Sequence, residues 1–140
     1  MKIMNNNKKY LVAVYGSLMK GLHNHIYLED SEFKGSFITE PEFTLIDLGS
    51  YPGLYKNGNT SVNMEVYEVD DHTLADLDSL EGFNEDNPSM SMYLKTTIET
   101  PFGEAISYIY NTPLNKQEIV KSGDWKEHLM FKKSLAQHAC

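Results

Sequence analysis

The sequence predicts an α+β fold, a small mixed and mainly antiparallel β-barrel with flanking helices. Short segments rich in valine, threonine and tyrosine recur along the chain, and turns containing glycine, proline or asparagine separate them. Two stretches, residues 71–80 and the segment after Gly123, carry apolar residues at helical spacing. Because short turns join most neighbouring strands, the sheet should be largely antiparallel, and strands of this size often close into a barrel.

Composition predicts one domain over residues 1–140, since a chain of 140 residues with 41% hydrophobic content can bury a core of its own. A net charge of -8 makes binding to a nucleic acid a poor hypothesis. The sequence contains no arginine, which excludes bidentate guanidinium binding of an anion within the chain. Lysines, hydroxyls or backbone amides would have to hold any anionic ligand.

The ends of the chain carry little chemistry. Residues 1–8 are polar, lack a secretory apolar region and are expected to form a flexible lead-in. The single cysteine, Cys140, cannot form an intrachain disulfide, which is compatible with a cytoplasmic location. No apolar segment is long enough to span a bilayer, so we expect no membrane partner. The sequence does not indicate an oligomeric state.

The first half of the chain begins with a continuous apolar run over residues 9–15, which predicts a central strand. Residues 16–21 are expected to form a loop and residues 22–28 a short helix. Partial alternation predicts a strand over residues 42–48, and the glycine and proline cluster at residues 49–53 predicts a turn.

Further along, Asn-Gly-Asn at residues 57–59 is typical of a hairpin turn, followed by a strand over residues 61–69. An aspartate pair precedes a helix predicted over residues 71–80, which should stop at Gly82. The polar residues 84–89 are expected to form a loop.

The remaining elements are two strands and a closing helix. Residues 90–100 and 104–110 predict strands that are joined by a turn at residues 101–103. After Gly123, the closing helix carries Trp125 and Leu129 among its apolar residues.

The loop after the first strand is the first candidate binding feature. It contains Tyr15, Gly16, Ser17 and Leu18. Gly16 would let the chain turn so that successive N–H groups point into a cavity and bind an anion, while Ser17 adds a hydroxyl. An ordinary strand-ending turn is the alternative from the local pattern alone. A phosphate loop is disfavoured because the second glycine and the Gly-Lys-Ser/Thr ending are missing.

Glu81 is the second candidate. It follows an apolar helical stripe and precedes Gly82, so it can face inward at a helix end. A desolvated carboxylate has a raised pKa and can exchange protons near neutrality. The alternative is an ordinary surface acid, and Glu65 on the preceding strand is a rival carboxylate.

Histidines and tyrosines suggest weaker sites. His23 and His25 lack the further ligands that a zinc site needs, so no metal is expected. A nucleophilic Ser17 assisted by a histidine stays open as an alternative. Most of the nine tyrosines should be half-buried packing residues, with one or two of them lining a pocket.

An ordered set of motifs resembles the gamma-glutamylcyclotransferase-like family, in particular its small gamma-glutamylamine branch. The matching segments lie between residues 10 and 110, and they are Val-Ala-Val-Tyr-Gly-Ser-Leu at 12–18, Gly-Leu-His-Asn-His at 21–25, Gly-Ser-Tyr-Pro-Gly at 49–53, the strand at 62–69 and Leu-Asp-Ser-Leu-Glu-Gly at 77–82. Tyr93 fits a later strand. Met64 stands where glycine is usual, and Lys95 stands where arginine is common.

The resemblance implies a cofactor-independent enzyme that cleaves a gamma-glutamyl amide to 5-oxoproline and a free amine. It implies that Glu81 is the general acid/base. It also implies that Tyr15, Gly16, Ser17 and Leu18 bind the amino-acid end of a small gamma-glutamyl substrate, and we expect Tyr93 to line the same site. A non-catalytic member that binds a small ligand in the same pocket is the alternative.

Overall fold

The computed structural model describes residues 8–138. Residues 1–7, most of the expected lead-in, and residues 139–140, including Cys140, lie outside the described residues. The strands are β1 (Lys9–Val14), β2 (Glu32–Ile38), β3 (Phe43–Asp47), β4 (Pro52–Thr60), β5 (Asn63–Asp70), β6 (Tyr93–Thr100), β7 (Gly103–Tyr110) and β8 (Glu118–Ile119). The helices are α1 (Asp71–Leu80) and α2 (Trp125–His138), with short 3-10 helices at His25–Leu28 and Pro88–Met90. Over these residues, no helix is both long and apolar enough to cross a membrane.

The strands form two sheets. Five strands hydrogen-bond in the order β2-β5-β1-β7-β6, and three in the order β4-β3-β8. Strands β1 and β7 run parallel, and the other pairs are antiparallel. This confirms a mixed, mainly antiparallel α+β fold. The predicted barrel closure is not seen, because the described strands end in the open edges of two separate sheets.

Strand β1 is central, as its apolar run predicts. Val12 lies opposite Tyr67 of β5 on one side and opposite Ile106 of β7 on the other. The last three residues of the strand are buried, since neighbours cover both faces. The segment that follows Val14 therefore begins in the core and not at the surface.

One sequence prediction for the smaller sheet needs correction. The expected hairpin turn at residues 57–59 lies inside β4, where the pairing steps from Phe43–Thr60 to Thr44–Tyr55 and leaves residues 56–59 without partners in β3. The tight turn lies earlier, where the Leu48 N–H donates to the Tyr51 carbonyl at 3.0 Å. Asn-Gly is compatible with a bulge as well as with a turn, because both need glycine at positive φ.

Helix α1 has the predicted bounds. Asp70 is its N-cap, and its carboxylate accepts the Thr73 N–H at 2.8 Å. Leu74 and Leu77 are buried against the sheet. The helix lies directly after β5, so its C-terminal end is carried back towards the end of β1.

Candidate active site

A cavity of about 290 Å³ opens at the carboxyl end of β1. Its wall includes all of Tyr15, Gly16, Ser17 and Leu18, together with Glu81 and Tyr93. The sequence-predicted loop and acid therefore face one cavity although more than sixty positions separate them. Buried residues of β4 and β7, Pro52 and Tyr108, complete its floor.

Side chains brace the loop at residues 15–18 from both sides. The Tyr15 hydroxyl donates to the Tyr108 carbonyl at 2.6 Å. The Asn24 amide donates to the Ser17 hydroxyl at 2.8 Å, and the His25 ring bonds the Leu18 carbonyl at 2.9 Å through Nδ1–H. Asn24 and not an imidazole therefore contacts Ser17, which gives no support to a histidine-activated serine.

The backbone of this loop keeps donors free. Among the described residues, the N–H groups of Gly16, Ser17 and Leu18 have no hydrogen-bond acceptor, although Gly16 and Leu18 are buried. Buried N–H groups are normally paired with protein or water, so three adjacent unpaired donors at a cavity wall form a potential anion-binding feature.

Gly16 is required for a reason other than the one expected from the sequence. Its φ is not positive, so it does not supply a left-handed turn. A Cβ at this position would lie 2.7 Å from both Cγ and Cδ of Pro52. The glycine therefore lets the loop approach the start of β4 closely, and it holds the cavity wall against Pro52.

The end of α1 positions Glu81. Gly82 adopts a left-handed φ of +67°, and its N–H donates to the Ser79 carbonyl at 3.1 Å. The Phe83 N–H donates to the Asp78 carbonyl at 2.9 Å. These two bonds form a Schellman motif, which stops the helix at Glu81 and directs the chain away.

The side chains of the same helix turn anchor it to the sheet. Asp78 accepts the Tyr108 hydroxyl at 2.6 Å and the Lys95 ammonium at 3.0 Å. Lys95 and Tyr108 lie opposite each other on β6 and β7, so they converge on one carboxylate. Glu81, three residues after Asp78, is thereby held at a defined place beside the cavity.

The Glu81 carboxylate has unusual electrostatics. The residue is partly buried, and within the described part of the chain nothing forms a hydrogen bond or ion pair with its carboxylate. Burial raises the pKa of Glu81 to about 7 from an ordinary value of 4.5. The side chain can therefore accept and release a proton near neutral pH.

The tyrosines of the floor do not offer free donors. The Tyr93 hydroxyl donates to the Pro52 carbonyl at 2.6 Å, and the hydroxyls of Tyr15 and Tyr108 are engaged as described above. Burial, followed by the nearby Glu81 charge, raises the pKa of Tyr93 far above its ordinary value. These rings stay neutral and shape the cavity.

Glu65, the rival acid, lies elsewhere. Its carboxylate accepts the Lys20 N–H at 2.8 Å, the Tyr67 hydroxyl at 2.9 Å and the Lys126 ammonium at 2.9 Å. Burial works to raise the pKa of Glu65, but these three donors outweigh it and lower the pKa below the ordinary value. Glu65 is a fully paired carboxylate outside the wall of the cavity.

The two unusual residues of the motif set also lie outside the cavity wall. Met64 is buried beside Glu65, and Lys95 acts on the site through Asp78. Both therefore influence the cavity indirectly, through packing and through the placement of α1.

One group of possible metal ligands went unpredicted. Ligand atoms of Asp47, Glu118 and His128 lie within 4.8 Å of one another. However, His128 Nε2 already contacts Asp47 Oδ2 at 2.7 Å, and the Lys132 ammonium contacts the same oxygen at 2.9 Å. A lysine side chain therefore already supplies a cation to this carboxylate. His23 and His25 are not part of this group.

Four further residues shape the site although the sequence does not predict a role in it for them: Asn24, Pro52, Asp78 and Tyr108. Asn24 and Pro52 belong to motifs that match as sequence, but no local pattern reveals that they contact Ser17 and Gly16. Asp78 and Tyr108 meet through a contact between residues thirty positions apart.

Residues 12–127 match the family model described as gamma-glutamyl cyclotransferase, AIG2-like. The chain belongs to this family. A provisionally named gamma-glutamylcyclotransferase of Vibrio cholerae is 50% identical over 117 residues, covering 84% of this chain and 96% of the relative.

Members with solved structures share the fold of this gamma-glutamylcyclotransferase-family chain. An uncharacterized protein from Pyrococcus horikoshii superposes with a TM-score of 0.73 at 27% identity, covering 89% of this chain and 97% of the other. An AIG2-like protein from Mus musculus gives a TM-score of 0.68 at 27% identity, covering 84% and 88%.

Proposed function

We propose that this protein is a cyclotransferase that cleaves a gamma-glutamyl amide by intramolecular attack of the substrate's alpha-amine, releasing 5-oxoproline and a free amine. The observation that carries the proposal is the single cavity shared by an unpaired Glu81 carboxylate and the free backbone donors of Gly16, Ser17 and Leu18. Family membership supports the same reaction class.

The loop would bind the alpha-carboxylate of the substrate. A cluster of backbone N–H groups can hold an anion without a cationic side chain, which suits a chain that lacks arginine. The carboxylate would satisfy donors that have no protein acceptor. This contact fixes the alpha-carbon, so that the alpha-ammonium can point towards Glu81.

Glu81 would act as general base and then as general acid. Its carboxylate takes a proton from the alpha-ammonium, and the resulting amine attacks the gamma-carbonyl carbon to close a five-membered ring. The bond from that carbon to the leaving nitrogen then breaks. The alpha-nitrogen gives up two protons in all, and the leaving amine gains two as it departs as an ammonium ion, so Glu81 ends the turnover ionised.

The energetics of this step suit the site. Holding the amine and the carbonyl in reacting geometry contributes about 7–11 kcal/mol to lowering the barrier of such an intramolecular attack. A base with a pKa of about 7 is matched to proton transfer near neutral pH. No cofactor is required, since the substrate supplies both nucleophile and electrophile.

The gamma-glutamylamine branch is the finer assignment that we propose within the family. Its support is the ordered motif set, including the Leu-Asp-Ser-Leu-Glu-Gly segment that ends in Gly82. A ligand-binding protein without turnover is the second candidate, because the Glu81 carboxylate can also pair with the ammonium group of a bound ligand. A pKa of about 7 favours the enzyme, since proton transfer near neutral pH needs a carboxylate that titrates there.

Replacement of Glu81 tests the assignment. Glu81→Gln keeps the size of the side chain but removes its basicity, so release of 5-oxoproline from a panel of gamma-glutamyl amides should fall by roughly 10²–10⁴-fold while substrate binding persists. Ser17→Ala should cost less, because the loop acts mainly through main-chain groups. Glu85→Gln, an exposed acid four residues away, should match wild type.

Two outcomes would contradict the proposal. If wild type binds gamma-glutamyl amides and turns none of them over, the protein is a binding module. If Glu81→Gln is as active as wild type, another group carries the proton and the site assignment is wrong.

A further inference from the structure

The cavity has two features that bind charge. One is the Glu81 carboxylate, and the other is the set of free N–H groups at residues 16–18. The gamma-glutamyl end of the proposed substrate carries two charges, an ammonium and a carboxylate, and uses both features. A third charge, placed on the leaving amine, would therefore need a partner from the rest of the cavity.

The rest of the wall is uncharged. Its members beyond the loop and floor include Leu80, Tyr51 and Met92, and no lysine or aspartate of the described residues lines it. Lys95, which contacts the helix turn before Glu81, is paired with Asp78 and lies over the Phe83 ring at 5.1 Å. A charged group that is buried against an uncharged wall loses its hydration, and no counter-ion compensates for that loss.

The space is also small. A volume of about 290 Å³ lies at the lower end of the roughly 300–1,000 Å³ that small-molecule sites usually occupy. Once the gamma-glutamyl group fills the inner part, little room is left for the amine. The cavity thus favours a short leaving group.

Met92 lies where that leaving group would contact the rim. Its flanking residues Ser91 and Tyr93 are buried, whereas Met92 is 49% exposed and lines the cavity. Its N–H donates to the Gly82 carbonyl and its own carbonyl accepts the Asn111 N–H, both at 3.0 Å. The backbone is thus fixed beside the Glu81 turn, and a flexible, half-exposed thioether side chain lines the cavity there.

We propose that the cavity selects gamma-glutamyl amides whose leaving amine is compact and uncharged, and that Met92 is a specificity-determining residue for this choice. The inference rests on the proposed function, because it takes the inner part of the cavity as the gamma-glutamyl site. Among the described residues, the exposed His23 is the one further titratable side chain of the wall outside Glu81 and the tyrosines.

Three size-matched substrates test the inference: a gamma-glutamyl butylamide, the same amide with a terminal ammonium group, and the same amide with a terminal carboxylate. Wild type should favour the butylamide in kcat/KM by about tenfold or more over both charged amides. Met92→Lys should improve the carboxylate amide selectively, and Met92→Glu should improve the ammonium amide. Met90→Lys supplies the matched control, since Met90 is 72% exposed and lies outside the cavity wall.

The outcomes separate the two proposals. If a charged amide is turned over as efficiently as the butylamide, the charge preference is wrong while the cyclotransferase function stands. If the carboxylate amide is preferred and His23→Gln abolishes its turnover, His23 is the partner of that carboxylate. If Met90→Lys changes specificity as Met92→Lys does, Met92 has no special role. If no amide is turned over, the proposed function fails, and calorimetric binding of the same three amides still decides the charge preference.

Discussion

Burial raises the pKa of Glu81 to about 7, which means that ionising this side chain costs the folded protein more than the unfolded chain. An unfolded glutamate titrates near 4.3–4.5. Between these two pKa values the folded state binds more protons than the unfolded state, so stability falls as the pH rises from about 4.5 to 7. The property that suits Glu81 to proton transfer therefore weakens the fold.

Glu81→Gln should consequently stabilise the protein at pH 8. We expect its free energy of unfolding to exceed that of wild type by on the order of 1–3 kcal/mol, because glutamine carries no charge to desolvate. The difference should become small near pH 4, where Glu81 is protonated in the folded state and mostly protonated in the unfolded state. Urea denaturation at the two pH values measures it.

Glu85→Gln is the control for this effect. Glu85 is an exposed acid in the loop after α1, so its replacement should change stability little at either pH. A Glu81→Gln variant that is no more stable than wild type at pH 8 would show that the Glu81 carboxylate is well solvated.

At the scale of elements, the C-terminal turn of α1 depends on Gly82. An alanine there must adopt the left-handed conformation, which costs about 1–2 kcal/mol, and its Cβ would lie 3.2 Å from Met92 Cβ. Gly82→Ala should lower the free energy of unfolding by that amount and also reduce kcat, because the turn that presents Glu81 shifts. Thermal denaturation and steady-state kinetics measure the two effects.

Gly103→Ala is the control that separates backbone strain from the positioning of Glu81. Gly103 also has a positive φ, of 120°, but it lies in the β6–β7 hairpin and a Cβ there meets only Leu11 Cδ1 at 3.5 Å. This variant should lose stability and keep kcat. Equal losses of kcat in both variants would mean that the Schellman turn does not position the acid.

Some of these elements can be predicted from the sequence and others cannot. Helix α1 was predictable because its determinants are local, namely the Asp70 cap, the apolar spacing and Gly82. Strand β2 was not, because it is an edge strand whose Phe33 and Ile38 are 53% and 64% exposed, and its pattern is not the alternation of a half-buried strand. The reason for a glycine at position 16 cannot be predicted from the local sequence, because the residue that leaves no room for a Cβ there, Pro52, lies on another strand.

The candidate site shows the same limit. Local patterns identify the loop at residues 15–18 and Glu81 as separate candidates, and only the family resemblance predicts that they belong to one site. The contacts that Asp78 makes with Lys95 and Tyr108 could not be predicted, since they depend on the register of β6 against β7. Contacts of this kind carry no signal in the local sequence.

At the scale of the whole molecule, two buried carboxylates dock α2. Glu65 accepts Lys126, and Asp47 contacts His128 and Lys132. Burial works to raise the pKa of Asp47, but hydrogen bonds from Lys132, His128 and the Gly49 N–H lower it below its ordinary value. The stability from these ionised carboxylates is complete above the unfolded pKa of about 4, and it is lost as the pH falls through the lower folded values.

Trp125, the single tryptophan, reports on this docking because it begins α2 and is fully buried. Acid titration should shift its fluorescence to the red below about pH 4. Lys126→Met should move the midpoint to higher pH, because Glu65 loses the ammonium that stabilises its charged form. Lys133→Met, a change of an exposed lysine on the same helix, should leave the midpoint unchanged. Equal shifts in both variants would mean that helix charge, and not the Glu65 contact, sets the midpoint.

The parallel pairing of β1 with β7 has a consequence for biosynthesis. Val12 leaves the ribosome early, but its partner Ile106 is added more than ninety residues later. Until then one side of the most apolar strand has no neighbour, and contacts so distant in sequence form slowly. The nascent chain must therefore carry an aggregation-prone edge through most of its translation, and the cavity that β1 leads into can form only when synthesis is nearly complete.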